Sequence, residues 1–358
     1  MGTLAQGLRK HSLLFLPLVG ALILSAGCGS SSQSNPIVSW PSNQSVYVSQ
    51  STEVNSFPIS SSLAKSGNAA PTTALTATTF MDTHRTAFDS LGRMYETDLN
   101  TGSVFIFPSG ATTGSVAPTA TIAMTAPAGN GDATASGIAI DSSNNVYISD
   151  KVNNAIDVYS AVAADATGTL AASPVYTIFG TNTTLNAPNG IALNSTGTKL
   201  WVANEAGDDV LCFTLPTAVV SGAQNLAPTA TITNSAFSTV HSLALDATDL
   251  VYVTNSSTTS SAVFVYSPSS NGVATPVSII SGNKTGLSGL NGISLDSESN
   301  IYVGNNYVVN NNAAAEVLVF PAGSTGNVPP GFIIGGGNTG LTPTIHGVTV
   351  GPTPTPET

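Results

Sequence analysis

The chain predicts an all-β fold, a six-bladed β-propeller of four-stranded blades, on three observations. A unit of about 50 residues recurs: one aligned aromatic per unit gives Tyr47, Tyr95, Tyr147, Trp201, Tyr252 and Tyr302, spaced by 48, 52, 54, 51 and 50 residues. Each unit holds four short apolar, β-branched and aromatic runs divided by turn residues, the pattern of a propeller blade. The last unit has an inner run with no partner after it and the first has outer runs with no partner before them, so the two complete one shared blade and leave no free sheet edge at the seam.

Arg9 and Lys10 precede the apolar run from Leu13 to Leu24, which holds Pro17 and is too short to span a bilayer, so residues 1–27 are expected to be a signal peptide. Its end, Leu24-Ser25-Ala26-Gly27-Cys28, resembles a bacterial lipoprotein signal. That resemblance implies cleavage before Cys28 and its lipidation, with ordinary secretion and cleavage nearby as the alternative. The mostly Ser residues 28–36 are expected to be a flexible tether, and residues 37–358 one propeller domain.

The clearest unit places its inner strand at Gly137-Ile138-Ala139-Ile140, its second at Asn145 to Asp150, its third at Ala155 to Tyr159 and its fourth at Pro174 to Ile178. Third strands are expected to centre on Phe57, Phe107, Tyr159, Phe213, Tyr266 and Phe320, and fourth strands to open at Pro71, Pro118, Pro174, Pro228, Pro276 and Pro330. Inner strands end at Phe88, Ile140, Leu193, Leu245, Leu295 and Val350, and the polar residue after five of them (Asp89, Asp141, Asn194, Asp246, Asp296) is assigned to a tight hairpin turn. His346 to Gly351 is expected to be the inner strand of the blade whose outer strands come from residues 45–78. The Asn-rich stretch from Asn305 to Glu316 is expected to be a long loop.

Without residues 1–27 the chain keeps 6 basic against 19 acidic residues, a net charge of −13 that repels phosphate backbones, so nucleic acid is excluded as an expected partner. Only 8% of residues are charged, and solubility then rests on Ser, Thr and Asn, which suits a secreted surface. Cys212 aligns with Ile106, Val158, Val265 and Val319 and is expected to be a buried small apolar side chain; with Cys28 acylated there is no disulfide.

The residues that begin the inner strands are all polar: His84, Ser136, Asn189, His241, Asn291 and His346. Three of the four histidines of the chain fall at this one register, and the fourth, His11, belongs to the signal segment. Two readings stand. Six converging strands need small polar groups to satisfy neighbouring backbone and water, or the channel mouth binds a ligand or a metal, for which neutral imidazoles are common ligands. On the same face the second strands close with Gln50, Asp98, Asp150, Asn204, Asn255 and Asn305, a pattern of turn capping in which Asp98 and Asp150 could add a carboxylate lobe beside His84.

Pro188-Asn189-Gly190-Ile191-Ala192-Leu193 followed by Lys199-Leu200-Trp201-Val202-Ala203-Asn204 resembles NHL repeats, a family of propeller blades, and the resemblance extends over nearly all of the mature chain. It implies the fold, while members of the family include protein-binding scaffolds, lactonases, lyases and receptors. Ile345-His346-Gly347 and Val240-His241-Ser242 are similar to the zinc-binding phrases of peptidylglycine amidating lyases, although here the histidines fall on the first, fourth and sixth blades rather than on every second one. Gluconolactonase-like propellers need Glu, Asn and Asp on calcium; Asn189 and Asn291 are available, but no inner strand begins with an acid.

The expectation is therefore a monomeric cell-envelope lipoprotein, anchored to the membrane through Cys28 and facing the periplasm or exterior. It would be a non-catalytic module binding a protein, glycan or small molecule at the mouth through His84, Ser136, Asn189, His241, Asn291, His346, Asp98 and Asp150, with no assigned cofactor. The alternative is a metal-dependent lyase or hydrolase holding zinc or calcium, with His84, His241 and His346 as ligands and a metal-bound water as base or nucleophile.

Overall fold

The computed structural model describes residues 43–354 apart from 62, 64–66, 112–113, 128–131, 171–172, 219 and 258–259; the signal segment, Cys28 and the tether lie outside the described residues. Second strands such as Val146–Asp150 and Val251–Asn255 are continuous buried runs, which suits a sheet packed on both faces. Six such sheets of four or five strands form a six-bladed β-propeller.

The blades are numbered by their inner strands: Thr83–Phe88, Ala135–Ile140, Pro188–Leu193, Val240–Leu245, Gly289–Leu295 and Ile345–Pro352. In the sixth, Ile345–Pro352 pairs antiparallel with Gln44–Gln50, with Ser45 opposite Gly351 and Val48 opposite Val348, and Glu53–Pro58 and Thr73–Thr76 complete the sheet. The expected shared blade is thus present. Tyr47 lacks the turn aspartate that Tyr95, Tyr147, Tyr252 and Tyr302 have, and its hydroxyl donates instead to the Pro352 carbonyl at 2.6 Å, across the seam.

Apolar cores lie between blades. Ile156 and Val158 of the second blade pack with Leu200, Val202, Leu211 and Phe213 of the third, and Val46, Val48 and Phe57 of the sixth pack with Tyr302, Val317 and Val319 of the fifth. Each large side chain so buried contributes about 1.5–3 kcal/mol. Cys212 is buried in one such core with Trp201 and Ile232, and burial raises its thiol pKa.

Three expectations shift in detail. The third-strand aromatics sit at or near the strand end rather than its centre: Phe107 pairs with Met94 and Tyr266 with Val251, the first residues of their second strands. Fourth strands begin two residues after each proline, at Thr73, Ala120, Tyr176, Ala230, Ser278 and Phe332, because proline has no N–H to give the ladder. Asn305 to Glu316 is no loop. Ile301–Val309 and Asn312–Phe320 form one long hairpin turning at Asn310 and Asn311, both at positive φ (50° and 63°), as a tight two-residue hairpin turn requires.

The connection between third and fourth strands reaches back to the outer edge of the preceding blade. Gly114–Ser115, Gly168–Leu170, Gly222–Gln224 and Gly272–Val273 add a parallel strand there, Gly326 bridges Ile280, and the Gly67 carbonyl accepts the Gly335 N–H at 2.9 Å. All six contacts carry a glycine at positive φ, between 56° and 103°, which turns the chain onto the edge. The outer edges are thereby covered.

Candidate functional site

In every blade the ladder between inner and second strand slips by one residue at the mouth. In the first, Thr83 pairs with Asp98 and Thr86 with Glu96, so His84 and Arg85 oppose the single residue Thr97; the same two-against-one register recurs at Ser136, Asn189, His241, Asn291 and His346. These are β-bulges, which re-aim side chains. The polar residue therefore sits just inside the inner strand rather than at its first position.

The residue after each bulge position is Gly137, Gly190, Ser242, Gly292 or Gly347 in five blades, and the reason is space: a Cβ on Gly347 would lie 2.4 Å from the His84 carbonyl oxygen, and one on Gly292 2.3 Å from the Val348 nitrogen. In the first blade the same register holds Arg85. Hydroxyls on the second strands tie blades together. Thr97 Oγ1 donates to the Ser136 carbonyl at 2.9 Å, and Ser149 Oγ accepts from the Gly137 N–H while donating to the Asn189 carbonyl, both at 2.6 Å.

The mouth residues join into a chain around most of the ring. His346 stacks on His84, centroids 5.1 Å apart. His84 Nδ1 lies 3.2 Å from the Ser136 carbonyl; Ser136 Oγ donates to Asn189 Oδ1 at 3.1 Å, and Asn189 Nδ2 donates to Glu205 at 2.7 Å and lies 3.4 Å from His241 Nδ1. Asn291 turns away and donates to the Ile345 carbonyl at 2.7 Å.

Four charged residues that the sequence reading passed over complete the mouth. Lys151 and Glu205 pair at 2.7 Å, His241 lies 3.6 Å from the same Glu205 oxygen, and His346 Nε2 lies 3.2 Å from Asp82. Arg85 is buried and donates to the His84 carbonyl at 3.1 Å and to Asn189 Oδ1 at 3.4 Å. A signal for them existed: in a chain with so few charges, Lys151 and Glu205 each directly follow the residue closing a second strand, and Arg85 replaces a small residue.

Burial holds the histidines neutral at pH 7. It lowers His84 well below its usual value, with Arg85 and His346 adding to the effect, and lowers His241 to about 4 although Glu205 opposes it. His346 is likewise lowered by burial against the pull of Asp82, whose own carboxyl burial raises. The His346–Asp82 contact is therefore a neutral imidazole beside a carboxyl group rather than a full ion pair. Burial raises Glu205, but bonds from Lys151 and Asn189 outweigh this and leave it lowered, hence ionised.

Asp98 and Asp150 do not face the ring with free oxygens. Asp98 Oδ2 accepts the Met81 and Asp82 N–H groups at 2.7 and 2.9 Å, and Asp150 Oδ1 accepts Thr134 N–H and hydroxyl at 3.1 and 2.9 Å. Asn204, Asn255, Asn305 and Gln50 make the equivalent bond to Asn186, Ser238, Ser288 and Thr342. This position thus pins the loop leading into its own inner strand, and contacts to the following turn, such as Thr101 N–H on Asp98 Oδ1, are additional. The turn residues Asp89, Asp141, Asp246 and Asp296 accept two backbone N–H groups each on the opposite face.

As to metal, His84 and His346 stack, while His241 is engaged with Asn189 and Glu205. Among the described residues no three His, Cys, Asp or Glu side chains converge to hold an ion. The mouth can offer hydrogen bonds from neutral imidazoles and one ionised carboxylate. Beside it, a groove of about 700 Å³ runs under the projecting hairpin, lined by Ser238, Ser256, Asn306, Tyr307, Val308 and Pro343 among others.

A family model described as lactonase, 7-bladed beta-propeller, matches residues 92–221, little more than a third of the chain. No curated protein matches. A protein of unknown function from Bacteroides caccae superposes with a TM-score of 0.59 at 12% identity, covering 86% of this chain and 99% of that one. A chain of a nidogen/laminin complex gives 0.57 at 15% identity, covering 87% and 99%, and a protein from Lactobacillus plantarum 0.54 at 13%, covering 87% and 86%. At such identities these likenesses show the β-propeller fold and leave the activity to be argued from the site.

Proposed function

We propose that this chain is an envelope-anchored, NHL-like propeller that binds a partner, without catalysis, on its mouth face. One observation carries the reading. At the mouth, groups that could do chemistry are bonded to one another, whereas the adjoining groove is open and overhung by Val308 and Val309, which are 70% and 47% exposed. Rigid strands hold the hairpin, and its sequence selects the partner. Anchoring through a lipid on Cys28 belongs to the same proposal.

The test is a photo-crosslinking residue placed at Val308 in cells and, as control, at Val277, an exposed residue beside a fourth strand. A discrete adduct from position 308 alone supports the reading; identical patterns from both positions refute it. Lactone hydrolysis at the mouth is the second reading, favoured by the partial lactonase match. Turnover of a gluconolactone that is lost in Glu205→Gln and His241→Asn would establish it over the first.

A further inference from the structure

Below the mouth, the axial channel is a separate cavity of about 440 Å³, within the ~300–1,000 Å³ typical of small-molecule sites. None of the six mouth residues lines it. Its walls toward the turn face are the inner-strand ends Phe88, Ile140, Leu193, Leu245, Leu295 and Val350, and alanines at 87, 139, 192 and 244 keep the lumen wide. All of these but Ala139 are only partly buried in the protein, so an apolar ring faces the channel at that end, while Thr86, Ser294 and Thr349 add polar groups to the wall.

At the mouth-side end of this lumen stands Arg85, 7% exposed. Its guanidinium is bonded only to a carbonyl and an amide oxygen, its Nε has no partner, and among the described residues no carboxylate lies within ion-pairing distance. Glu205 and Glu96 act on it only from beyond contact distance; a buried cation with no paired carboxylate is costly, and a buried N–H without an acceptor calls for an explanation. Blades two to six satisfy the crowding at this register with glycine or serine, so packing alone does not require an arginine.

We propose that the channel binds a monocarboxylate with a compact apolar body, its carboxylate on the Arg85 guanidinium and its body against the ring of inner-strand ends. The ligand would come in from the turn face, opposite the mouth. The charge complements the buried guanidinium, and the apolar ring at the far end favours an alkyl or aryl body over a sugar. The site does not depend on the reading of the mouth.

Octanoate titrated into the intact chain by calorimetry tests this. Saturable one-to-one binding is expected, with octanol at least tenfold weaker and with Arg85→Met losing about 10- to 100-fold, as removal of a charge-assisted hydrogen bond implies. Circular dichroism checks that Arg85→Met folds. If it does not, Ala244→Phe fills the lumen without removing the cation and must abolish octanoate binding. Absence of saturable octanoate binding, equal affinity for octanol, or undiminished binding in either folded variant overturns the proposal.

Discussion

Replacing Glu96 by glutamine should remove a pH dependence of stability that the native chain carries. Glu96 is fully buried on the second strand of the first blade; Thr86 Oγ1 donates to its Oε2 at 2.6 Å, and Oε1 has no partner. Burial raises its carboxyl from 4.5 to about 8, against the bond from Thr86. A raised acid keeps its proton in the fold while the unfolded chain loses it, so stability is unaffected below pH 4.5, falls by about 1.4 kcal/mol per pH unit through the window, and levels off above pH 8. The cumulative cost is about 3 kcal/mol at pH 7 and about 5 kcal/mol in full. Glutamine has the same shape and does not titrate, but its amide N–H groups would replace an unpartnered oxygen and cost about 1–3 kcal/mol at every pH. Glu96→Gln is therefore expected to be the less stable protein near pH 5 and the more stable near pH 8. Denaturant unfolding at intervals between those values measures the difference, in which Asp157, raised by burial to about 6, cancels because both proteins carry it. Parallel stability profiles would refute a protonated Glu96.

Other substitutions probe the ring and the seam. His241→Asn should keep the fold and lose part of the acid sensitivity, the share of His84 and His346 remaining: a histidine lowered to about 4 by burial makes stability fall as pH drops below 6.5, by up to about 3 kcal/mol, and chemical unfolding of both proteins at pH 5 against pH 7 reads the difference. Gly347→Ala should cost about 1–3 kcal/mol, because its Cβ would lie 2.4 Å from the His84 carbonyl oxygen, and a thermal melt unchanged within error would contradict that packing. Deleting residues 346–358 removes the inner strand of the sixth blade and should abolish cooperative unfolding as seen by calorimetry. Cys28→Ser should abolish metabolic lipid labelling; retained label would overturn the proposed anchor.

The sequence by itself determined the six-bladed, all-β architecture and the seam. Strand patterning has a period of two, and repetition of the aromatic at positions such as Tyr95, Tyr147 and Tyr252 fixes which runs are equivalent, so blade number follows from spacing. It also located the polar register of His84, Asn189 and His346, because that requirement recurs once per blade. Tertiary structure alone decided what those residues touch. Six bulges re-aim them, and neighbours distant in sequence then decide their chemistry: His346 meets His84 across the seam, His241 meets Asn189 and Glu205, and Asp98 gives one oxygen to the Met81 and Asp82 amides and the other to Thr101. Arg85 was legible as a residue and illegible as a site. Its burial, its unpartnered Nε and its place at the end of the axial channel arise only when six strands converge, since a one-dimensional pattern specifies which face a side chain takes but not the distance across a ring.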